Sequence, residues 1–123
     1  DDDTAYIAIT LYHQGNNYND AGQYSNADQC CTKALAIFRK LSPDDDTAYI
    51  AITLYHQGNN YSDAGQYSNA DQCYAEALAL YRKLSRGDNT VEIANILSNR
   101  GKNYRYIFLP RFILHNFFLL LLI

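Results

Sequence analysis

DDDTAYIAITLYHQGNNY occupies residues 1–18, and the same eighteen letters return at 44–61. Setting 1–43 against 44–86 leaves only seven mismatches in forty-three positions, at 19, 31, 32, 33, 37, 38 and 43. Self-similarity at such a period marks an array in which each unit buries its apolar face against the next. Whether the quoted stretch is helix or strand decides what kind of array. YIAITLY is rich in aromatic and β-branched residues, as strands are. Against that, Ala8, Leu11, Gly15 and Tyr18 fall at three- and four-residue steps, and the aspartates ahead of Thr4 suit the positive end of a helix. The spacing predicts a helix.

The second half of the unit has a cleaner period. Ala27, Cys31, Ala34, Leu35, Phe38 and Leu41 lie on one helical stripe, which the second copy keeps as Ala70, Tyr74, Ala77, Leu78, Tyr81 and Leu84. Ser25 and Asp28 are expected to cap its first turn. Pro43 and Arg86-Gly87 are the expected exits. The two helices of a unit meet at Ala21-Gly22-Gln23, where glycine permits a turn that a Cβ would hinder. Each unit is then an antiparallel helix pair, and the chain an all-α solenoid: units at 1–43 and 44–86, a partial third at 87–106, and an apolar tail at 107–123.

In unit one, Leu11-x-x-Gln14-Gly15-x-x-Tyr18, Gly22-x-Tyr24-x-x-Ala27 and Lys33-Ala34-Leu35 carry a resemblance to the tetratricopeptide repeat. Leu54, Gly58, Tyr61, Gly65, Tyr67, Ala70, Tyr74, Ala77 and Leu78 carry it in unit two, and Ala94, Leu97, Gly101 and Tyr104 in unit three. The long unit with its Ala-Leu-Ala-Ile/Leu ending and Ser-Pro-Asp-Asp linker is similar to the extended form found in kinesin light chains. One departure stands out: the family usually has an apolar residue before the first glycine, where this chain has Gln14, Gln57 and Arg100.

Composition narrows the function. The formal charge is −3, so there is no general basic footprint for nucleic acid. Charge is uneven: 1–43 hold five acids against three bases, 44–86 six against three, and 87–106 two against three. Three cysteines, two of them adjacent at 30 and 31, fit neither a disulfide framework nor a zinc site of paired C-x-x-C ligands. This usage implies a reducing compartment, and cytoplasmic location is the expectation. The chain opens without Met and without a basic, apolar leader, as expected of a fragment.

In the tail the repeat pattern fails between one residue and the next. Where the first two units have Ala-Gly-Gln-Tyr, the third has Ile107-Phe108-Leu109-Pro110, and thirteen of the seventeen residues 107–123 are Phe, Leu or Ile. A membrane span wants about 20 apolar residues, and this stretch is shorter and interrupted by Pro110, Arg111, His115 and Asn116. A tail outside the repeat fold is the leading expectation; a membrane anchor and a helix capping the solenoid are the alternatives.

No motif of catalysis or metal binding appears. His13 and His56 lack the companion residues of a metal site and read as surface histidines. Cys31 lies in the stripe as a core filler, since adjacent cysteines on a helix point about 100° apart and do not chelate as a pair; Cys30 and Cys73 read as inter-helix surface. The aspartate runs 1–3 and 44–46 lack the glycine and glutamate of a calcium loop. There is no phosphate loop and no nucleophile elbow. The expectation is a non-enzymatic protein with no cofactor and no metal.

The candidate site lies one residue beyond the packing stripe of the first helices. Tyr12, Asn16 and Asn19, with Ile9, recur as Tyr55, Asn59 and Ser62, with Ile52, and become Ser98, Lys102 and Arg105 in unit three. The family resemblance implies that first helices line a concave groove holding extended peptides of partner proteins. Amides suit a peptide backbone because they both donate and accept, and Tyr supplies contact area at little entropic cost. Lys102 and Arg105 make one end basic and favour an acidic partner segment. The function expected is a protein-interaction scaffold; a kinesin-light-chain-like cargo adaptor and a membrane-tethered adaptor using the tail are the alternatives.

Overall fold

The computed structural model describes residues 2–41, 47–84 and 90–123; the expected exits at Pro43 and Arg86-Gly87 and the aspartates 44–46 lie outside them. Five helices follow one another: α1 Asp2–Asp20, α2 Tyr24–Leu41, α3 Thr47–Asp63, α4 Tyr67–Lys83 and α5 Thr90–Leu121. There is no strand among the described residues. Each helix packs chiefly on its neighbours in sequence, with lighter contact between α1 and α3 and between α3 and α5. That is a solenoid of stacked helix pairs.

The turn inside each unit is a glycine-terminated helix end. Gly22 and Gly65 take φ of 74° and 79°, the left-handed geometry that costs an L-residue about 1–2 kcal/mol. Gln23 N–H then reaches the Tyr18 carbonyl at 2.8 Å and Gly22 N–H the Asn19 carbonyl at 2.9 Å, with equivalent bonds from Gln66 and Gly65. At the matching place in unit three stands Phe108, and α5 runs on without a turn.

The second helices begin one residue earlier than the expected Ser25/Asp28 cap. The Gln23 carbonyl already accepts from Ala27 N–H, and the Gln23 side chain accepts from Asn26. Asp28 faces the next unit instead. The core is the predicted stripe: Ala27, Cys31, Ala34, Leu35 and Phe38 of α2 and Ala70, Tyr74, Ala77, Leu78 and Tyr81 of α4 are buried, together with Ala8, Ala51 and Leu54 of the first helices. Close approach within unit two depends on Gly58, where a Cβ would stand 2.7 Å from the Tyr74 ring. Cys30, expected at the surface, is buried against Gly15.

Polar residues before the glycines at 58 and 101 join successive units. Gln57 Nε2 donates to Asp28 Oδ1 at 2.9 Å and Thr32 Oγ1 at 3.2 Å, and Arg100 Nε to Asp71 Oδ1 at 2.7 Å. The departure from an apolar residue there is thus matched by an aspartate on the preceding second helix. Beyond Arg111, the large apolar side chains of α5 from Ile113 to Leu121 are exposed. No helix among the described residues is long and apolar enough to cross a membrane.

Candidate functional site: a polar cleft across three first helices

The first helices stack so that one turn of each unit faces the corresponding turn of the next. At the C-terminal ends of α1 and α3 and midway along α5 this leaves a cleft of about 420 Å³. Asn19 and Asp20 line it from α1, His56, Asn59, Ser62 and Asp63 from α3, Tyr74 from α4, and Asn99 and Lys102 from α5. Two smaller clefts, of about 290 and 270 Å³, involve the second helices and include Asp28 and Gln57 respectively.

Of the nine residues singled out in the sequence, Asn19, Asn59, Ser62 and Lys102 come together here. Most of them are tied to the neighbouring unit. Asn19 Nδ2 donates to Asp63 Oδ2 at 3.1 Å, and Ser62 Oγ to Asn103 Oδ1 at 2.8 Å. Asn59 Oδ1 accepts twice, from Tyr74 Oη at 2.6 Å and from Asn99 Nδ2 at 3.1 Å. Tyr55 Oη accepts from Asn99 at 2.9 Å. Tyr12 is nearly buried, its ring set edge-on against His56 at 5.2 Å. Tyr12, Asn16, Tyr55, Ser98 and Arg105 do not line the cleft, although Ser98 and Arg105 are exposed on α5.

Two groups give the cleft its chemistry. Asn19 Oδ1 is buried without a hydrogen-bond partner in the protein, an acceptor left open at a cost that a ligand N–H would relieve. Lys102 is exposed and supplies a positive charge at the α5 side. His56 was read as a surface residue but is half-buried between Tyr12 and Tyr55. Burial lowers its pKa, and nearby His13 lowers it further, against an opposing pull from Asp20; the ring is neutral at pH 7. His56, Asn99, Asp20, Asp63 and Tyr74 were missed as lining residues. The position itself was visible, since His13, His56 and Asn99 are equivalent in the 43-residue register.

Thiol chemistry has no foothold at two of the cysteines. Burial pushes Cys31 and Cys73 up to about 12, leaving thiols rather than nucleophilic thiolates at neutral pH. Among the described residues no group of three His, Cys, Asp or Glu side chains is placed to hold a metal ion.

Stacked helix pairs with a polar cleft across their first helices define a helical-repeat solenoid. The family model described as tetratricopeptide repeat matches residues 6–83, more than half of the chain, and the chain belongs to that family. Repeats of this family generally mediate protein–protein interaction, typically as non-enzymatic scaffolds. Among curated proteins, none matches the chain.

Proposed function

We propose that the chain is a protein-interaction scaffold that takes an extended segment of a partner protein across α1, α3 and α5. The observation that carries this reading is the buried, unpartnered Asn19 Oδ1 beside a cleft that reaches the Lys102 ammonium. A peptide N–H answers the first group and a carboxylate the second. Asn59 and Asn99 act as the cleft's frame, because the Asn59 carbonyl oxygen is already filled by Tyr74 and Asn99. The binding function rests on 1–106; none of the described residues of 107–123 lines the cleft.

The test starts from peptides selected on the full chain from a random library. Asn19→Ala should weaken a selected peptide about two- to tenfold, the worth of one net hydrogen bond. Lys102→Glu should weaken acidic peptides more at low than at high salt. Equal binding by both variants and the parent would remove the cleft as the working site.

A further inference from the structure

Charge at the helix ends divides the first helices of the units from the second. α2 and α4 carry Arg39-Lys40 and Arg82-Lys83 in their last turns, the cations that the negative end of a helix dipole favours. α1 and α3 carry no basic residue there, and each ends in an aspartate, Asp20 and Asp63. Both aspartates are exposed and line the first-helix cleft. Two carboxylates are thus held against two helix dipoles at the border of one cleft.

Their fields reach the cleft wall. Burial lowers the pKa of His56 and Asp20 opposes it; burial raises that of Tyr74, and Tyr55 and Asp63 add to the rise. Among the described residues the ion pairs are Arg39–Glu76 and Arg100–Asp71, and neither includes Asp20 or Asp63. What Asp63 accepts is the neutral amide of Asn19. The third unit departs from the pattern. Position 106, equivalent to 20 and 63, is a Tyr stacked on Tyr67 at 4.6 Å, and position 102, equivalent to Asn16 and Asn59, is Lys. The cleft is therefore negative at the ends of α1 and α3 and positive at α5.

Resting on the cleft as the binding site, we infer that it selects a dipolar segment of its partner, with a Lys or Arg facing Asp20 and Asp63 and an Asp or Glu facing Lys102. A cation at the first pole offsets both carboxylates and the two helix ends behind them. A uniformly acidic segment meets Lys102 equally well but is repelled at that pole, so the order of charges along the segment, rather than its net charge, sets the specificity.

The test uses peptides selected on the full chain from a random library, each also made with its basic residue replaced by Gln. Selected peptides should carry a Lys or Arg as well as an acid. At low ionic strength Asp20→Asn and Asp63→Asn should each weaken the parent peptide about two- to fivefold. Neither should change the affinity of the Gln-substituted peptide, whereas Lys102→Gln should weaken both peptides by the same factor. The aspartates are exposed at helix C-terminal ends, so both variants should keep the circular-dichroism spectrum and melt no lower than the parent chain. Asn19→Ala separates this inference from the reading beneath it. If Asn19→Ala weakens the peptides while the aspartate variants bind them equally or more tightly, the cleft stands as the site and the charge order is overturned. Selected peptides without any basic residue would overturn it as well. If Asn19→Ala and both aspartate variants all bind as the parent does, the cleft itself is not the site.

Discussion

From Thr4 to Tyr18 and from Thr47 to Tyr61 the chain spells α1 and α3 with the same letters, yet among the described helices α3 packs between two second helices and α1 against one. Small residues of the stripe that faces a helix's own unit behave alike in both: Ala8 and Ala51 are fully buried, and Gly15 and Gly58 are buried. The neighbouring stripe does not. Ile50, Thr53, Gln57 and Asn60 are core, whereas Ile7, Thr10, Gln14 and Asn17 are surface. Identical side chains therefore hold different energies, set by what the register of the array brings next to them. α5 extends the lesson to the other face. Its Ala94, Leu97 and Gly101 occupy the places of Ala51, Leu54 and Gly58 and are exposed, because α5 runs straight on through the register where the first two units turn back into a second helix.

The largest effect should separate the two isoleucines. Ile50→Ala should destabilise the chain by about 2–5 kcal/mol, the usual result of emptying an aliphatic core site. Ile7→Ala should stay within about 0.5 kcal/mol, as exposed substitutions do. Urea denaturation of the two variants reads the difference, and equal losses would mean that α1 is covered as α3 is.

The repeated glycine gives the next contrast, and a change of sign. At Gly58 a methyl group would overlap the Tyr74 ring, which is 1 % exposed and held by its bond to Asn59. Gly58→Ala should cost about 1–3 kcal/mol, in the range of overpacked cores. At Gly101 nothing lies within 4 Å of an added Cβ, so Gly101→Ala should gain up to about 1 kcal/mol from helix propensity alone. Thermal melts of the pair would show the opposite shifts.

The smallest effect is a pH dependence. His56 has a folded pKa below its ordinary 6.5, so the unfolded chain takes up a proton near that value while the folded chain does not. Its contribution is present in full above pH 6.5 and is lost as the pH falls below it, until the folded pKa is reached. His56→Asn, which installs the residue found at the equivalent position 99, should flatten the stability profile between pH 7 and 5. An unchanged slope would place the His56 ring in water.

Most of the fold was legible because its two determinants are periodic. The 43-residue identity announced the array, and the stripe from Ala27 to Phe38 announced the helix that fills its core. The polar joints were harder to read, because each links residues 25 to 44 positions apart and depends on which side chain faces which. Asn59 appeared in the sequence as a free amide at a groove position. Its oxygen in fact accepts from Tyr74, a residue present only because position 31 changes from Cys to Tyr between units. Asp28 looked like a capping partner for Ser25, but the helix starts at Tyr24 and the carboxylate reaches Gln57 in the next unit. The open acceptor on Asn19 had no signal in the letters at all, since it follows from the way Asp63 engages only the amide nitrogen.

The central claim is that partners are taken in the cleft between the first helices, and side-chain amide spectra address it directly. In a ¹⁵N-resolved titration of the full chain with a library-selected peptide, the NH₂ signals of Asn19, Asn59 and Asn99 and the ring signals of His56 should move together at one saturation point. Shifts confined to the second helices around Lys33 and Glu76, with those cleft signals unmoved, would contradict it.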